Sequence, residues 1–288
     1  MKSKYPFIKK FSADIGISED ILQQAFELEK EFHFRVLKET DPDVRKQLYK
    51  DIYDKVHTLY GKAKLPVKHN PKMKLIEKFS DSFTGKNILD VGCGNGDLLR
   101  AIRETSDPNK LVGVDGSDFV LRDDYPLIEF IKADIIKFEL NQTFDFIFSD
   151  NVIEHIAPAD LDTHLNSLTR MLKPNGKLII LMPNKLFGPS DVTRIIDYTY
   201  MNKIPAQGTH VNETTYSEII RILQKHGFRK FKTILPIPKL KYLFPKVRIN
   251  AKFVAFLENQ DWFIKLLYKF KINGQCFFRL DIFLECTQ

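Results

Sequence analysis

The stretch Asn87-Ile-Leu-Asp-Val-Gly-Cys-Gly-Asn-Gly-Asp97 determines the fold class of this chain of 288 residues. Two apolar residues lead into Asp90, glycine then occupies every second position from 92 to 96, and the helix-forming run Leu98-Leu-Arg-Ala-Ile102 follows. This order predicts a strand, a tight turn and a helix, with the main chain of the turn left bare for a ligand. A dinucleotide-binding loop would have glycine where Asp97 stands, and Asp90 would repel a pyrophosphate. The loop therefore predicts a ligand that carries positive charge.

Two further predicted strands also end in an acidic residue. The run Lys110-Leu-Val-Gly-Val-Asp115 places a carboxylate about 20 residues after the glycine loop, where such an acid accepts from both hydroxyls of a ribose. The run Ile128-Glu-Phe-Ile-Lys-Ala-Asp134 precedes Ile135, an arrangement that suits an adenine amino group beneath an apolar cover. A single aspartate at a strand end is more often a helix cap or a solvated turn. Three on successive strands favour a nucleoside-binding edge.

Four motifs follow one another along the chain: Asp90-Val-Gly-Cys-Gly-Asn-Gly96, Gly113-Val-Asp115, Ala133-Asp134 and Phe144-Asp-Phe-Ile-Phe-Ser-Asp-Asn-Val-Ile-Glu-His155. Together they resemble the class I S-adenosylmethionine-dependent methyltransferases, nearest to the type 11 and ubiquinone-biosynthesis-like small-molecule branch. The resemblance is strong over about residues 75–185, and its motifs are specific to the cofactor rather than to the acceptor.

The resemblance implies S-adenosylmethionine as the cofactor. By the family's pattern, the residues that bind it are Asp90, Gly92 and Gly94 at the methionine part, Asp115 at the ribose, Asp134 with Ile135 at the adenine, and Asn151 near the transferable methyl group. The implied fold is α/β, with a Rossmann-like, seven-stranded, mostly parallel sheet. Its last strand, within Phe277–Cys286, is reversed, and an N-terminal helical appendage and helical insertions are added to the sheet.

The chain is expected to divide into a helical appendage, residues 1–75, and a methyltransferase domain, residues 76–288. Asp41-Pro42 is typical of a helix start, and this helix is predicted to run through Tyr53. The aromatic side chains of the appendage have two interpretations. They pack the helices together, or they form a lid over the active site with His57 or Tyr60 facing the substrate.

The acceptor side is predicted to include a loop-rich insertion, residues 183–215, because ligands of open α/β sheets bind at the carboxyl edge. Two histidines are candidates for catalysis. His155 follows the fourth predicted strand, where a catalytic base and a buried structural hydrogen bond are both compatible with the pattern. His210 lies on the insertion, where a positioning role also fits.

Residues 221–271 are strongly basic, with only Glu258 and Asp261 opposing the lysines and arginines. Aromatic residues are interleaved through the same segment: Tyr242, Phe244, Phe253, Phe256, Trp262, Phe263, Tyr268 and Phe270. One interpretation is a basic, aromatic helical insertion, residues 240–275, with solvated lysines on its outer face. A second is contact with an anionic membrane or a phosphorylated acceptor, and the third and least favoured is nucleic acid.

No apolar run is long enough to span a bilayer, and the basic start of the chain lacks the apolar stretch of a secretory signal. The three cysteines have neither disulfide nor zinc spacing, so we expect a cytoplasmic protein, with peripheral membrane contact as an option. We expect no metal, because Asn151 replaces the first acid of the Glu-x-x-Glu-His pattern of some ubiquinone O-methyltransferases, leaving only Glu154 and His155.

The sequence therefore predicts an S-adenosylmethionine-dependent methyltransferase that acts on a small-molecule or glycan-type acceptor at oxygen, by in-line transfer. Two alternatives remain open at this point. One is a nucleic-acid methyltransferase, although the Asn/Asp-Pro-Pro-aromatic motif typical of base methylation is replaced by Ser149-Asp-Asn-Val152. The other is a non-catalytic homologue that docks on membranes or on another protein.

Overall fold

A computed structural model describes residues 4–61, 70, 72–79, 82–117, 127–235 and 243–288. The helices α1 to α9 are, in order, Ile8–Ile15, Glu19–Lys38, Pro42–Tyr60, Met73–Ile76, Asp97–Thr105, Pro158–Met171, Tyr216–Lys225, Ala251–Glu258 and Asp261–Lys269. The strands β1 to β10 are Asn87–Val91, Lys110–Asp115, Ile128–Lys132, Phe144–Asp150, Leu172–Met182, Lys230–Ile234, Arg248–Asn250, Lys271–Ile272, Gln275–Cys276 and Ile282–Thr287.

The main sheet has the strand order β3-β2-β1-β4-β5-β10-β6-β7. Strands β1 to β5 pair in parallel, and β10 runs antiparallel to both of its neighbours, so the reversed last strand is confirmed. The predicted count of seven strands needs a correction, because a short strand, Arg248–Asn250, adds an eighth to the edge next to β6. Three residues are too few to show a strand periodicity, and pairing with β6 satisfies backbone groups that an open edge would expose.

Strand β5 begins at Leu172, and its pairing with β4 shifts register before Lys177, which forms a bulge. Two predictions for individual elements also differ from the structure. Helix α3 continues to Tyr60 rather than ending at Tyr53. The segment 240–275 is not purely helical, because it contains β7 and the β8–β9 hairpin as well as α8 and α9. Tyr242 lies outside the described residues.

Alternate residues of the central strands point to opposite faces of the sheet. On one face, side chains such as Leu89, Val112 and Ile147 pack with helices α1, α2, α6 and α7. On the other face, Ile88 and Phe148 pack with α4 and α5. Because both faces are covered, the positions open to a ligand are confined to the ends of the strands. Within the described ranges, no helix is both long and apolar enough to cross a membrane.

A buried ion pair fixes helix α3 to the start of α6. Arg45 donates from Nε to Asp160 Oδ2 at 2.8 Å and from Nη2 to Oδ1 at 2.5 Å, and both side chains are more than nine-tenths buried. Tyr49, one turn further along α3, donates to the same carboxylate at 3.1 Å and accepts from the Ala157 N–H at 2.8 Å. These contacts hold one side of α3 against the domain core, whose carboxyl edge lies beside it.

We expect Arg45→Met to lower the free energy of unfolding by about 3–5 kcal/mol, because it leaves the Asp160 charge buried without its partner. The matched control is Arg35→Met, since Arg35 and Glu31 form an ion pair whose side chains are 61% and 68% exposed, and such pairs contribute about 0–1 kcal/mol. Urea unfolding followed by circular dichroism measures both variants. Equal losses in the two variants would contradict a structural role for the buried pair.

Candidate active site

A cleft of about 630 Å³ lies at the carboxyl ends of β1, β2, β3 and β4. Among the described residues that line it are six of the seven predicted cofactor ligands together with one predicted catalytic histidine: Gly92, Gly94, Asp115, Asp134, Ile135, Asn151 and His155. Neither Asp90 nor His210 is among these lining residues. The structure therefore brings most of the predicted site residues into one cleft, whereas Asp90 and His210 do not line it.

The glycine loop has the bare main chain that its sequence predicts. Gly92 and Gly94 have φ values of 73° and 49°, which favour glycine. A Cβ atom on Gly92 would lie 2.4 Å from Cγ2 of Val152, whereas one on Gly94 would meet nothing within 4 Å. Glycine at 92 thus permits close packing, and glycine at 94 leaves open space on the side of the cleft.

The two strand-end acids in the cleft are held by main-chain donors. Asp115 accepts from the Gly94 N–H at 2.9 Å through Oδ2, and from the N–H and hydroxyl of Ser117 at 2.9 and 2.8 Å through Oδ1. Asp134 accepts from the Ile136 N–H at 2.9 Å, and its other oxygen lies 3.2 Å from Nζ of Lys46 on α3. Each carboxylate is therefore oriented before any ligand arrives.

Asp90 is 3% exposed, and its Oδ1 atom has no hydrogen-bond partner within the described part of the chain. Burial, and next the nearby Asp150 charge, raise the pKa of Asp90 well above its usual range, although Lys72 opposes this shift. Lys72 pairs with Asp150 across 2.5 Å. A buried carboxylate oxygen without a donor fits a ligand that brings a cationic N–H group.

Asn151 and His164 support the walls of the cleft. Asn151 has a left-handed backbone, with φ of 55°, and its side-chain amide donates to Asp150 Oδ1 at 2.8 Å. His164 on α6 is fully buried, and its Nδ1 lies 2.7 Å from the Ile135 carbonyl. Burial lowers the pKa of His164 to about 4, so its neutral ring donates to that carbonyl and fixes the apolar segment around Ile135. Sequence reasoning missed His164, because nothing in α6 distinguishes it from a core residue.

The aromatic stripe of α3 takes part both in helix packing and in the wall of the cleft, and the lid role toward a substrate stays a prediction. Tyr49, Tyr53 and His57 line the cleft, and Tyr49 also anchors the helix. Tyr60 instead donates to Glu29 of α2 at 3.3 Å. Burial raises the pKa of Tyr53 well above its usual range, so its phenol stays protonated beside His155, with 6.0 Å between ring centroids.

His155 is held as a neutral imidazole. Its Nδ1 lies 3.3 Å from the Thr209 carbonyl oxygen, which only accepts, so the proton is assigned to Nδ1 and Nε2 keeps a free lone pair. Burial, and next the charge of His210, hold the pKa of His155 well below its usual range. The ring centroids of His155 and His210 are 4.6 Å apart, at an interplanar angle of 89°.

His210 has the opposite charge state. Burial lowers the pKa of His210, but its 2.9 Å hydrogen bond to Glu213 and the charges of Asp191 and Glu154 outweigh this effect and raise the pKa to about 9. Glu154 is fully buried, and both of its carboxylate oxygens have no hydrogen-bond partner among the described residues. Burial raises the pKa of Glu154 to about 7, and the positive His210 opposes that rise.

The loop that carries His210 is built on two buried carboxylates. The N–H groups of Gly208 and His210 donate to Asp191 Oδ2 at 2.7 and 3.4 Å, and the Thr209 N–H donates to Glu29 Oε2 at 3.0 Å. A Cβ atom on Gly208 would lie 2.6 Å from the first acid and 2.7 Å from the second, so only glycine fits between them. Sequence reasoning missed Glu29, whose partner is 180 residues away.

Three side chains offer a donor set for a metal ion. One ligand atom each from Glu154, His155 and His210 lies within 4.8 Å of the others. Carboxylate and imidazole donors of this kind suit several divalent transition metals. The expectation of no metal stays a prediction. The same groups also form the pair of a neutral and a charged imidazole described above.

Residues 67–232 match the protein family described as "Methyltransferase domain". A trans-aconitate 2-methyltransferase of Acidovorax sp. (strain JS42) is 32% identical over 124 residues, which cover 42% of this chain and 46% of that protein. A demethylmenaquinone methyltransferase of Symbiobacterium thermophilum is 27% identical over 158 residues, which cover 51% of this chain and 63% of that protein. The chain spans about half the length of the curated relatives it matches. A solved SAM-dependent methyltransferase from Archaeoglobus fulgidus aligns with a TM-score of 0.48 at 20% identity, over 75% of this chain and 91% of that one.

We expect Asp115→Ala to weaken binding of S-adenosylhomocysteine on the order of 100-fold, because a ligand ribose would lose hydrogen bonds to a charged acceptor. The control is Asp107→Ala, because the side chain of Asp107 is 82% exposed and forms an ion pair with Arg103. Isothermal titration calorimetry gives both affinities, and a thermal melt checks that each variant is folded. Unchanged affinity in a folded Asp115→Ala protein would remove Asp115 from the cofactor site.

We expect Glu29→Gln to change how stability depends on pH. Burial, and next the Asp191 charge, raise the pKa of Glu29 from 4.5 to about 7. The folded protein thus holds this proton more tightly than the unfolded chain, so the contribution of Glu29 to stability is complete below pH 4.5 and is lost as the pH rises through 7. Glutamine stays neutral throughout.

The variant should therefore gain stability relative to the wild type between about pH 5 and about pH 8, by on the order of 1–3 kcal/mol. Urea unfolding midpoints at the two pH values measure this difference. Glu31→Gln is the control, because Glu31 is 68% exposed on the same helix. A difference that does not vary with pH would show that Glu29 is ionised in both states.

Proposed function

Because residues 67–232 show that the chain belongs to the methyltransferase-domain family, we propose that it transfers a methyl group from S-adenosylmethionine to an oxygen atom of a small-molecule or glycan-type acceptor. The match confirms the predicted family and, with it, the predicted cofactor. The acceptor, the methylated atom and the role of each residue belong to the proposal. One observation carries it: the cleft that holds the strand-end acids is also lined by His155, whose ring stays neutral because burial lowers its pKa.

The residues of the cleft fit the cofactor in charge and in shape. Asp115 has the position and the fixed carboxylate for a ribose diol, and Asp134 with Ile135 suits an adenine. The bare loop at Gly92 and Gly94 leaves room for the chain that joins these parts to the methionine end. Asp90 does not line the cleft, but its Oδ1 has no partner among the described residues, and we propose that it accepts from the methionine amino group of the bound cofactor.

S-adenosylmethionine, when bound, supplies a methyl group that its sulfonium charge already activates. The protein then has to align the acceptor, exclude water and remove one proton. Helix α3 covers the cleft with Tyr49 and Tyr53, which are suited to exclude water and to stack against an acceptor ring. Asn151 and His155 both line the cleft.

His155 is proposed as the general base that accepts the proton of an acceptor hydroxyl at Nε2. The Thr209 carbonyl fixes its tautomer, and burial keeps it unprotonated before the reaction. The charge that it gains is offset by Glu154, whose buried carboxylate lies within 4.8 Å of a nitrogen of each imidazole. His210 is proposed as a positioning residue, because Glu213 already occupies its Nδ1.

The acceptor is proposed to be small because α3 closes over the cleft. A wall of tyrosines together with Lys46, Gln47 and Lys50 offers both apolar and hydrogen-bonding contacts, as a hydroxylated ring or a sugar requires. The relatives described above carry the names of methyltransferases for trans-aconitate and for demethylmenaquinone, which are both small molecules.

The proposal is tested by incubating the protein with methyl-labelled S-adenosylmethionine and fractionated cell extract, followed by mass spectrometry. We expect label in a small-molecule or glycan fraction, attached through oxygen. Label confined to nucleic acid would replace the proposed acceptor class with the alternative one. Absence of label in every fraction, from protein that binds S-adenosylhomocysteine, would favour a non-catalytic homologue.

We expect His155→Asn to lower kcat on the acceptor found in this way by about 10²–10⁴-fold, since a positioned general base contributes that much. Affinity for S-adenosylhomocysteine should stay within a few-fold, which separates loss of the base from loss of the fold. His226→Asn is the control, because His226 contacts Asp162 and Asn166 at the end of α7 and does not line the cleft. Equal kcat values for the two variants would exclude His155 as the base.

A further inference from the structure

The exposed large hydrophobic side chains are concentrated in one segment of the chain. Of the fourteen that are found among the described residues, ten lie between 243 and 277. The ten, which we name the apolar segment, are Leu243, Phe244, Val247, Phe253, Phe256, Trp262, Leu266, Phe270, Ile272 and Phe277. Scattered apolar residues are normal on a protein surface, but ten within 35 residues require an explanation.

Helices α8 and α9 have an inverted burial pattern. On α8 the small residues Ala251 and Ala255 are buried, while Phe253 and Phe256, one turn apart, are 56% and 59% exposed. On α9 Trp262 is 62% exposed and Leu266, one turn later, is 42% exposed. A helix that had only to cover the core would bury its largest side chains. These helices present them to the outside instead.

The apolar side chains stay outside because the helices are fixed from within. Glu258, at the end of α8, accepts from the N–H groups of Tyr216 and Ser217 at 3.1 and 2.5 Å and from the Asn184 amide at 3.2 Å. Tyr268 of α9 donates to the Leu186 carbonyl at 2.5 Å. Buried polar contacts of this kind hold the two helices in place, so the exposed aromatics cannot fold back onto the core without breaking them.

The exposed charges between residues 243 and 277 are predominantly positive. Lys246, Lys252, Lys265, Lys269 and Lys271 are exposed, whereas Asp261 is the one exposed acid in this part of the described chain, because Glu258 is buried. A positively charged surface repels a second copy of itself and attracts a surface that carries negative charge. A surface that is only solvated, or that binds nucleic acid, needs lysines and arginines. It does not need exposed aliphatic side chains such as Leu243, Leu266 and Ile272.

We propose that the apolar segment docks the protein on the surface of an anionic lipid bilayer. Tryptophan and phenylalanine gain free energy at the boundary between headgroups and acyl chains, and each lysine near an anionic surface adds attraction. Helices of eight and nine residues are too short to span a bilayer and lie in its plane. This contact does not depend on methyl transfer, so it stands or falls separately from the proposed function.

The test uses the full chain and vesicles of phosphatidylcholine, with and without phosphatidylserine. Trp262 is the single tryptophan of the sequence, so its emission reports on the apolar segment directly. We expect a blue shift and cosedimentation with the vesicles that contain phosphatidylserine, and a marked loss of both at high salt. Failure of the protein to bind these vesicles, or binding without a change in Trp262 emission, would overturn the proposal.

Two variants separate the apolar and the charged contributions. Phe253→Ser with Phe256→Ser should weaken partitioning into the anionic vesicles about tenfold or more, because two aromatic side chains lose their burial. Lys265→Gln with Lys269→Gln should weaken it by a similar factor at low salt and have little effect at high salt. Phe34→Ser with Leu37→Ser is the matched control, since these residues are 46% and 44% exposed on α2.

The control variant should bind like the wild type, and all variants should bind S-adenosylhomocysteine with unchanged affinity, which shows that they are folded. Equal vesicle binding by the Phe253→Ser/Phe256→Ser protein and the control would remove the apolar segment from the interface. Light scattering that shows wild-type dimers, which this variant abolishes, would assign the segment to self-association and overturn the proposal.

Discussion

Three consecutive main-chain N–H groups, those of Gly208, Thr209 and His210, donate to the buried carboxylates of Asp191 and Glu29. This arrangement sets the position of the loop at the edge of the cleft. The carbonyl of Thr209 faces the other way and fixes the ring of His155, so the orientation of the proposed base depends on acids that never touch the cleft.

The same loop also contacts helix α2 of the N-terminal region. The carbonyl of Gly208 lies 3.0 Å from Nδ1 of His33 on α2, next to the contact from Glu29. With the ion pair of Arg45 and Asp160, α2 and α3 are each attached to the domain by buried polar contacts. Helices α2 and α3, the second of which lines the cleft, are therefore an integral part of the fold.

The parts of the site that lie close together in sequence could be predicted. The glycine loop and the acids at positions 115 and 134 depend on local strand–turn–helix geometry, and the structure places them along one cleft. His155 and His210 were candidates separately, but their contact joins elements 55 positions apart, which spacing does not encode. Glu29 was missed for a related reason. Which face of a helix is buried depends on distant partners, such as Tyr216 for Glu258.

Lys46 connects helix α3 to the end of strand β3, and this contact bears on how ligands on the two sides of the cleft affect each other. Its ammonium group, on α3, lies 3.2 Å from the carboxylate of Asp134, which is one of the groups proposed to bind the adenine. A ligand that draws on this carboxylate changes the environment of the ammonium group and so of its helix. Coupling between binding sites is reciprocal. Any effect of a nucleoside at Asp134 on the affinity for a molecule bound at α3 is therefore matched by an equal effect in the reverse direction.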